Sequence, residues 1–225
     1  HDFRISYCVM KTLIFVTLFT LSITVFAKND DFITVVVQGL SGKTYTKKQM
    51  PAIPDGYQLK TMYPHELGTF MLLPNDWHYK VYPETEKQPY ATNIISKENL
   101  DTEESYKTGL KITLFTKLME EHGVSGENYA SAQVGLYKKL AKRTIREGFD
   151  GAGLYIFEAE LPLIENSKEI YHIVATYRWV NEEPNVLIIS TFGAPIEEWK
   201  AARKHFDTMM EYENKTTKMA EKNQQ

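Results

Sequence analysis

Four groups of residues in this chain have types suited to chemistry. Glu120, Glu121 and His122 stand together before Gly123, and a carboxylate beside an imidazole is the raw material of proton transfer or metal ligation. Neighbours in sequence point different ways, however, and no HExxH-like spacing supplies a second ligand. The expectation is a solvated helix end. Gly39-Leu-Ser-Gly-Lys-Thr44 follows an apolar run and resembles a phosphate-binding loop, but that loop needs a glycine where this chain has Val37. It must also open a helix, whereas Pro51 and Pro54 arrive soon after Thr44. A Gly-Ser turn in a hairpin is expected instead, with no nucleotide bound. Ser190 or Ser131 with His172 or His205 as base would make an exported hydrolase, yet no GxSxG surrounds either serine and Ser190 lies in a predicted core strand. His172, among apolar neighbours, reads as a satisfied sheet histidine. The fourth group is aromatic. Trp77, Tyr177 and Trp179 are candidate lining for a ligand pocket between sheet and helix, against the alternative that large aromatics fill the core. No catalytic or metal-ligating residue and no cofactor is assigned.

The elements that must position these residues read as strands first. Phe32 to Val37 is a β-branched run, Pro51 to Glu66 is irregular with one strand near Tyr57 to Met62, and Gly68 to Leu73 and Trp77 to Tyr82 flank a Pro-Asn-Asp turn. Tyr90 to Ser96 and Leu110 to Thr116 follow at hairpin-like distances, which argues for antiparallel pairing. Ser125 is expected to cap a long helix to about Glu147, with Tyr129, Ala132, Leu136, Leu140 and Thr144 on its inner stripe and Val134, Tyr137, Ala141 and Ile145 widening it. Lys138, Lys139, Lys142, Arg143 and Arg146 are then its solvated face. After Gly148 to Gly153 comes a meander of Leu154 to Leu161, Ile170 to Val180 and Val186 to Phe192. Within Ile170 to Val180, whose length suggests a central place, Tyr171, Ile173, Ala175, Tyr177 and Trp179 face one way and His172, Val174, Thr176 and Arg178 the other. Gly193 and Ala194 should turn the chain, with Pro195 opening a last helix whose inner face is Trp199, Ala202, Phe206, Met209 and Met210. Asn214 to Gln225 lacks an apolar stripe and is expected to be disordered.

Composition sets the class. The chain has 225 residues, 43% hydrophobic and 24% charged, with a formal net charge of −3, ordinary values for a globular domain. Setting aside residues 1–27, which hold Arg4, Lys11 and Asp2, leaves 24 basic residues against 28 acidic. That balance argues against nucleic-acid binding. Met10 to Ala27, MKTLIFVTLFTLSITVFA, has a positive start, an apolar middle and a Val-Phe-Ala ending, which is the pattern of a secretory signal peptide cut after Ala27. Its apolar part is too short for a stable membrane span. His1 to Val9 then precede the start at Met10. The single cysteine, Cys8, lies in that leader, so the mature chain would be exported without a disulfide, a combination that suits a periplasmic or secreted bacterial protein.

Three local features carry a resemblance. They are Leu73-Pro74-Asn75-Asp76-Trp77 at a strand end, the pair Tyr90 to Lys97 (YATNIISK) and Tyr106 to Ile112 (YKTGLKI), and Ser190 to Trp199 (STFGAPIEEW) opening the last helix. Together with the element order they resemble the PsbP fold, shared by extrinsic photosystem proteins, DcrB-type envelope proteins and a small Ran-binding import factor. The resemblance implies an α+β domain over residues 68–213, a largely antiparallel sheet sandwiched by helices, after an N-terminal strand and irregular segment at 28–67. It also implies an accessory or binding role without catalysis, and with the signal peptide and the lack of a complete catalytic motif the expected partner is another envelope protein.

Overall fold

In the computed structural model the described residues are 23–28, 32–38, 45–63, 69–86, 88–100, 106–150, 153–162, 167–180 and 186–222. Residues 1–22 of the expected leader, and the Gly39 to Thr44 turn, lie outside them. Strand β1 (Ile23–Lys28) spans the expected cleavage point and pairs with β2 (Phe32–Gln38), which pairs with β3 (Tyr45–Pro51). Gln38 is opposite Tyr45 in that last ladder, the register of a hairpin. The sequence reading had no strand at β3, because Lys47, Lys48 and Gln49 break any apolar alternation.

β4 (Tyr57–Thr61) and β5 (Phe70–Pro74) form a second, two-stranded sheet. The main sheet has seven antiparallel strands in the order β6 (His78–Tyr82), β7 (Ala91–Ser96), β8 (Gly109–Phe115), β12 (Val186–Pro195), β11 (Tyr171–Val180), β10 (Tyr155–Leu161) and β9 (Arg143–Phe149). β12 is therefore the middle strand, and β11 lies beside it. A short helix, α1 (Leu118–His122), follows β8, and its Glu120, Glu121 and His122 are exposed.

The two faces of the sheet bury separate cores, one under each main helix. On one face, α3 (Trp199–Lys222) packs Ala202, Phe206, Met209 and Tyr212 over Leu110, Ile112, Val174 and Phe192, with Leu72, Leu73 and Trp77 closing the side. On the other, α2 (Gly126–Leu140) sets Ala130 and Val134 against Phe157, Ala159, Ala175 and Tyr177. The sheet is sandwiched by helices, as an α+β reading requires.

Three expectations are corrected. The helix after Ser125 stops at Leu140, and Ala141 adopts extended geometry. Lys142 N–H then donates to the Glu160 carbonyl at 2.9 Å and begins β9 on the open side of β10. A helical period can be written through Thr144 and Ile145, but the open ladder of β10 offers these β-branched residues a pairing partner. The inner stripe differs accordingly: Ala132 is exposed and Leu136 is 60% exposed, while Ala130 and Val134 are buried. Next, β12 does not turn at Gly193. It runs on to Pro195, opposite Tyr171, and a turn at Ile196 to Glu198 delays the helix to Trp199. Finally, α3 continues past Glu213 to Lys222 through the stretch expected to be disordered, with a Lys215–Glu211 ion pair of 2.8 Å one turn apart.

Candidate functional site

Alternation along β8 sends Leu110 and Ile112 into the core beneath α3 and presents Lys111, Thr113 and Phe115 to the opposite face. In β12 the same phase presents Ile189, Thr191 and Gly193, and in β11 Tyr171 and Ile173. This floor is walled on one side by α2, where Tyr129, Gln133 and Tyr137 recur every four residues and so share a helix face. Tyr90, Tyr106 and Lys107 contribute from the segments flanking β7 and β8. The result is a groove of about 590 Å³, within the size range of small-molecule sites.

Glycine shapes one end of the floor. Gly109 and Gly193 are cross-strand partners. A Cβ on Gly109 would overlap the Ile95 carbonyl oxygen, and one on Gly193 would come within 3.2 Å of Ile173 Cγ2. Two adjacent strands thus bring no side chain there.

The groove is rich in hydroxyls held in the protonated form. Burial pushes the Tyr137 hydroxyl up, partly offset by a hydrogen bond with Thr191. Tyr171 is pushed up to about 12, by burial first and then by Glu169, with smaller contributions from Glu98 and Glu198. Tyr129 is raised by burial and by Tyr90. Among the described lining residues, Lys107 and Lys111 carry the charge. Glu169 stands 3.9 Å from Lys107 Nζ at the rim. Gln133 Oε1 is buried with no hydrogen-bond partner among the described residues. The lining rings are held by mutual contact, Tyr90 with Phe115 at 5.0 Å and Phe115 with Tyr129 at 4.9 Å between centroids.

The aromatics singled out from the sequence do not meet in one place. Trp77 is buried on the α3 side, stacked on Phe192 at 6.4 Å and tilted against His205 at 4.9 Å. Tyr177 is wholly buried beneath α2, and Trp179 lies against Gly126 at the start of that helix, where a Cβ would clash with it. None of the three lines the groove. The hydrolase geometry is not assembled either. His172 Nε2 lies 2.8 Å from Glu158 Oε1, and its ring stacks on Trp199 at 3.7 Å, the environment of a satisfied sheet histidine. Ser190 is opposite Thr176, four residues along β11, roughly 13 Å from His172 at the usual strand rise. His205 Nδ1 is 2.8 Å from the Tyr57 hydroxyl, and Ser131 is exposed on α2 across the sheet from it.

The chain is similar to the solution structure of cyanobacterial PsbP (CyanoP) from Synechocystis sp. PCC 6803, at 15% identity and a TM-score of 0.41, over 72% of this chain and 93% of that one. No family model matches the chain, and no curated protein does. Among the described residues no helix is long and apolar enough to cross a membrane.

The sequence reading assigns none of the phenols or lysines around the groove to a site. A signal for them does exist. Lys111, Thr113 and Thr191 interrupt strands that are otherwise apolar, and Tyr129-x3-Gln133-x3-Tyr137 marks a polar-aromatic helix face. Only the pairing of β8 with β12 turns these separate patterns into one surface.

Proposed function

We propose that this protein is a non-enzymatic binding or accessory protein of the bacterial envelope, exported by its leader, and that the tyrosine-lined groove is its working surface. The observation that carries the reading is the lining itself. Protonated phenols, two lysines and an unpartnered amide oxygen form a concave surface that can hold a ligand by hydrogen bonds and ring contacts. Among its described lining residues there are donors but no serine, cysteine or histidine. The signal-like Met10 to Ala27 segment supports export.

Capture from envelope extract tests this. The parent should retain a reproducible partner or ligand, and Lys111→Glu, which reverses the charge at the floor, should lose it. Equal recovery by both proteins would remove the groove from the account, and recovery by neither would remove the binding role.

A further inference from the structure

We propose that two copies of this chain pair through β9, edge to edge and antiparallel, so that their main sheets join into one. β9 ends the sheet order, with β10 on one side and no strand on the other among the described residues. Asp150 N–H donates inward to the Leu154 carbonyl at 2.9 Å, so by alternation the amides and carbonyls of Glu147 and Phe149 point away from β10. Such a row is a template for another strand. Edges are commonly blunted by charge and by bulges, and Arg143 and the register shift between Thr144 and Arg146 are devices of that kind. A blunted edge does not also present bare apolar side chains. Phe149 is 61% exposed and Ile145 39%, although the Phe149 ring also meets Tyr155 at 5.1 Å and Trp179 at 5.8 Å between centroids.

The spacing of those two residues selects a second copy as the occupant. A two-fold axis through an antiparallel strand pair sets each residue opposite the one equally far on the other side of the axis. Centred on Glu147, it places Ile145 opposite Phe149 of the second copy and Phe149 opposite that copy's Ile145, so both exposed side chains gain an apolar partner. Arg146 makes no ion pair among the described residues, and this register brings it diagonal to Asp150 of the second copy, an opposite charge, twice by symmetry. The two Glu147 carboxylates meet at the axis, each held by Lys138 Nζ at 2.8 Å and by the Tyr155 hydroxyl at 2.8 Å, so two cations accompany the two anions there. Neighbouring registers fail. A centre on Arg146 opposes two arginines, a centre on Gly148 faces Ile145 beyond the end of the strand, and a centre on Ile145 faces Phe149 beyond its start. Since α2 covers β10 and β11, between this edge and the groove, the pairing leaves the groove open.

Sedimentation velocity on the full chain should give a dimer. Phe149→Lys and Ile145→Lys should each weaken association at least ~10-fold, with circular dichroism unchanged because both side chains are exposed. Glu147→Cys reads the register. The one native cysteine is Cys8, so Cys8→Ser combined with Glu147→Cys leaves a single thiol, facing its own copy with Cα atoms about 5.5 Å apart, within disulfide reach. Mild oxidation should convert that variant to a covalent dimer, and Cys8→Ser with Arg143→Cys, four residues from the axis, should stay uncrosslinked. A monomer at every concentration, a dimer that survives Phe149→Lys, or equal crosslinking from positions 143 and 147 would overturn the pairing.

Discussion

Tyr177 shows how one side chain can look functional and be structural. Its ring is fully buried between α2 and the sheet, edge-on to Tyr155 at 6.2 Å, and its hydroxyl is buried with no partner among the described residues. Burial pushes that hydroxyl far above its ordinary value. An orphaned buried hydroxyl is a net cost, so Tyr177→Phe should raise unfolding free energy by about 1 kcal/mol in urea titration; a loss of that size would mean the hydroxyl has a partner after all. Other buried and half-buried phenols are also held neutral. Tyr79, Tyr155, Tyr171 and Tyr212 are each pushed up to about 12, by burial first, from the ordinary 10.0. Tyr79 donates to Asn93 Oδ1 at 2.7 Å and Tyr212 to the Pro51 carbonyl at 2.9 Å. The unfolded chain releases these protons near pH 10 and the folded chain only near 12, so the folded state binds more protons in between. Stability should be intact below pH 10 and fall from there through pH 12. Absorbance of phenolate at pH 11 should show these residues un-ionised in the native protein; full ionisation without unfolding would contradict their burial.

At the scale of elements, the loop between β7 and β8 is where sequence and structure part most usefully. From the sequence, Lys97 to Lys107 is a charged connection. In the structure Glu98 joins its two ends: its Oε2 accepts from Ser96 Oγ at 2.8 Å and from the Lys107 and Thr108 amides at 3.0 Å each. Burial pushes the carboxyl up, but these bonds together with its own amide outweigh that and hold it below its ordinary value. A carboxyl with a depressed native pKa contributes stability above the unfolded value, and this is lost as pH falls through the native one. Glu98→Gln should therefore cost about 1 kcal/mol at pH 7, allowing for its partial exposure, with the gap to the parent closing below about pH 4. A gap independent of pH would show that shape rather than charge fixes the loop. Elsewhere the strands of the meander were legible because alternation is a local pattern. The end of α2 was not, because Thr144 and Ile145 fit a helical period as well as a strand, and only the free side of β10 decides between them.

At the largest scale, the main body of the described residues is a seven-stranded sheet with a helix on each face, and the two faces are unequal. The α3 face is filled by Phe206, Met209, Tyr212 and the β4–β5 hairpin. The α2 face is covered over β10 and β11 but leaves β8 and β12 open beside the helix, and that opening is the groove. Sequence patterning foresaw two helices on an antiparallel sheet, since apolar stripes are read within one element. It did not foresee the groove, because a concavity depends on which strands a helix fails to cover. Lys111, Thr191 and Tyr137 are 80 positions apart at their extremes, and only pairing and packing bring them together.

The central claim, that this uncovered strip is where the protein binds, is open to one direct measurement. Two-dimensional NMR of the isotope-labelled protein, titrated with soluble envelope extract, should move the resonances of Lys111, Thr113, Gln133, Tyr137, Ile189 and Thr191 while leaving those of Phe206 and Met209 beneath α3 in place. Shifts concentrated on α3 or on the β9 edge, or none at all, would contradict it.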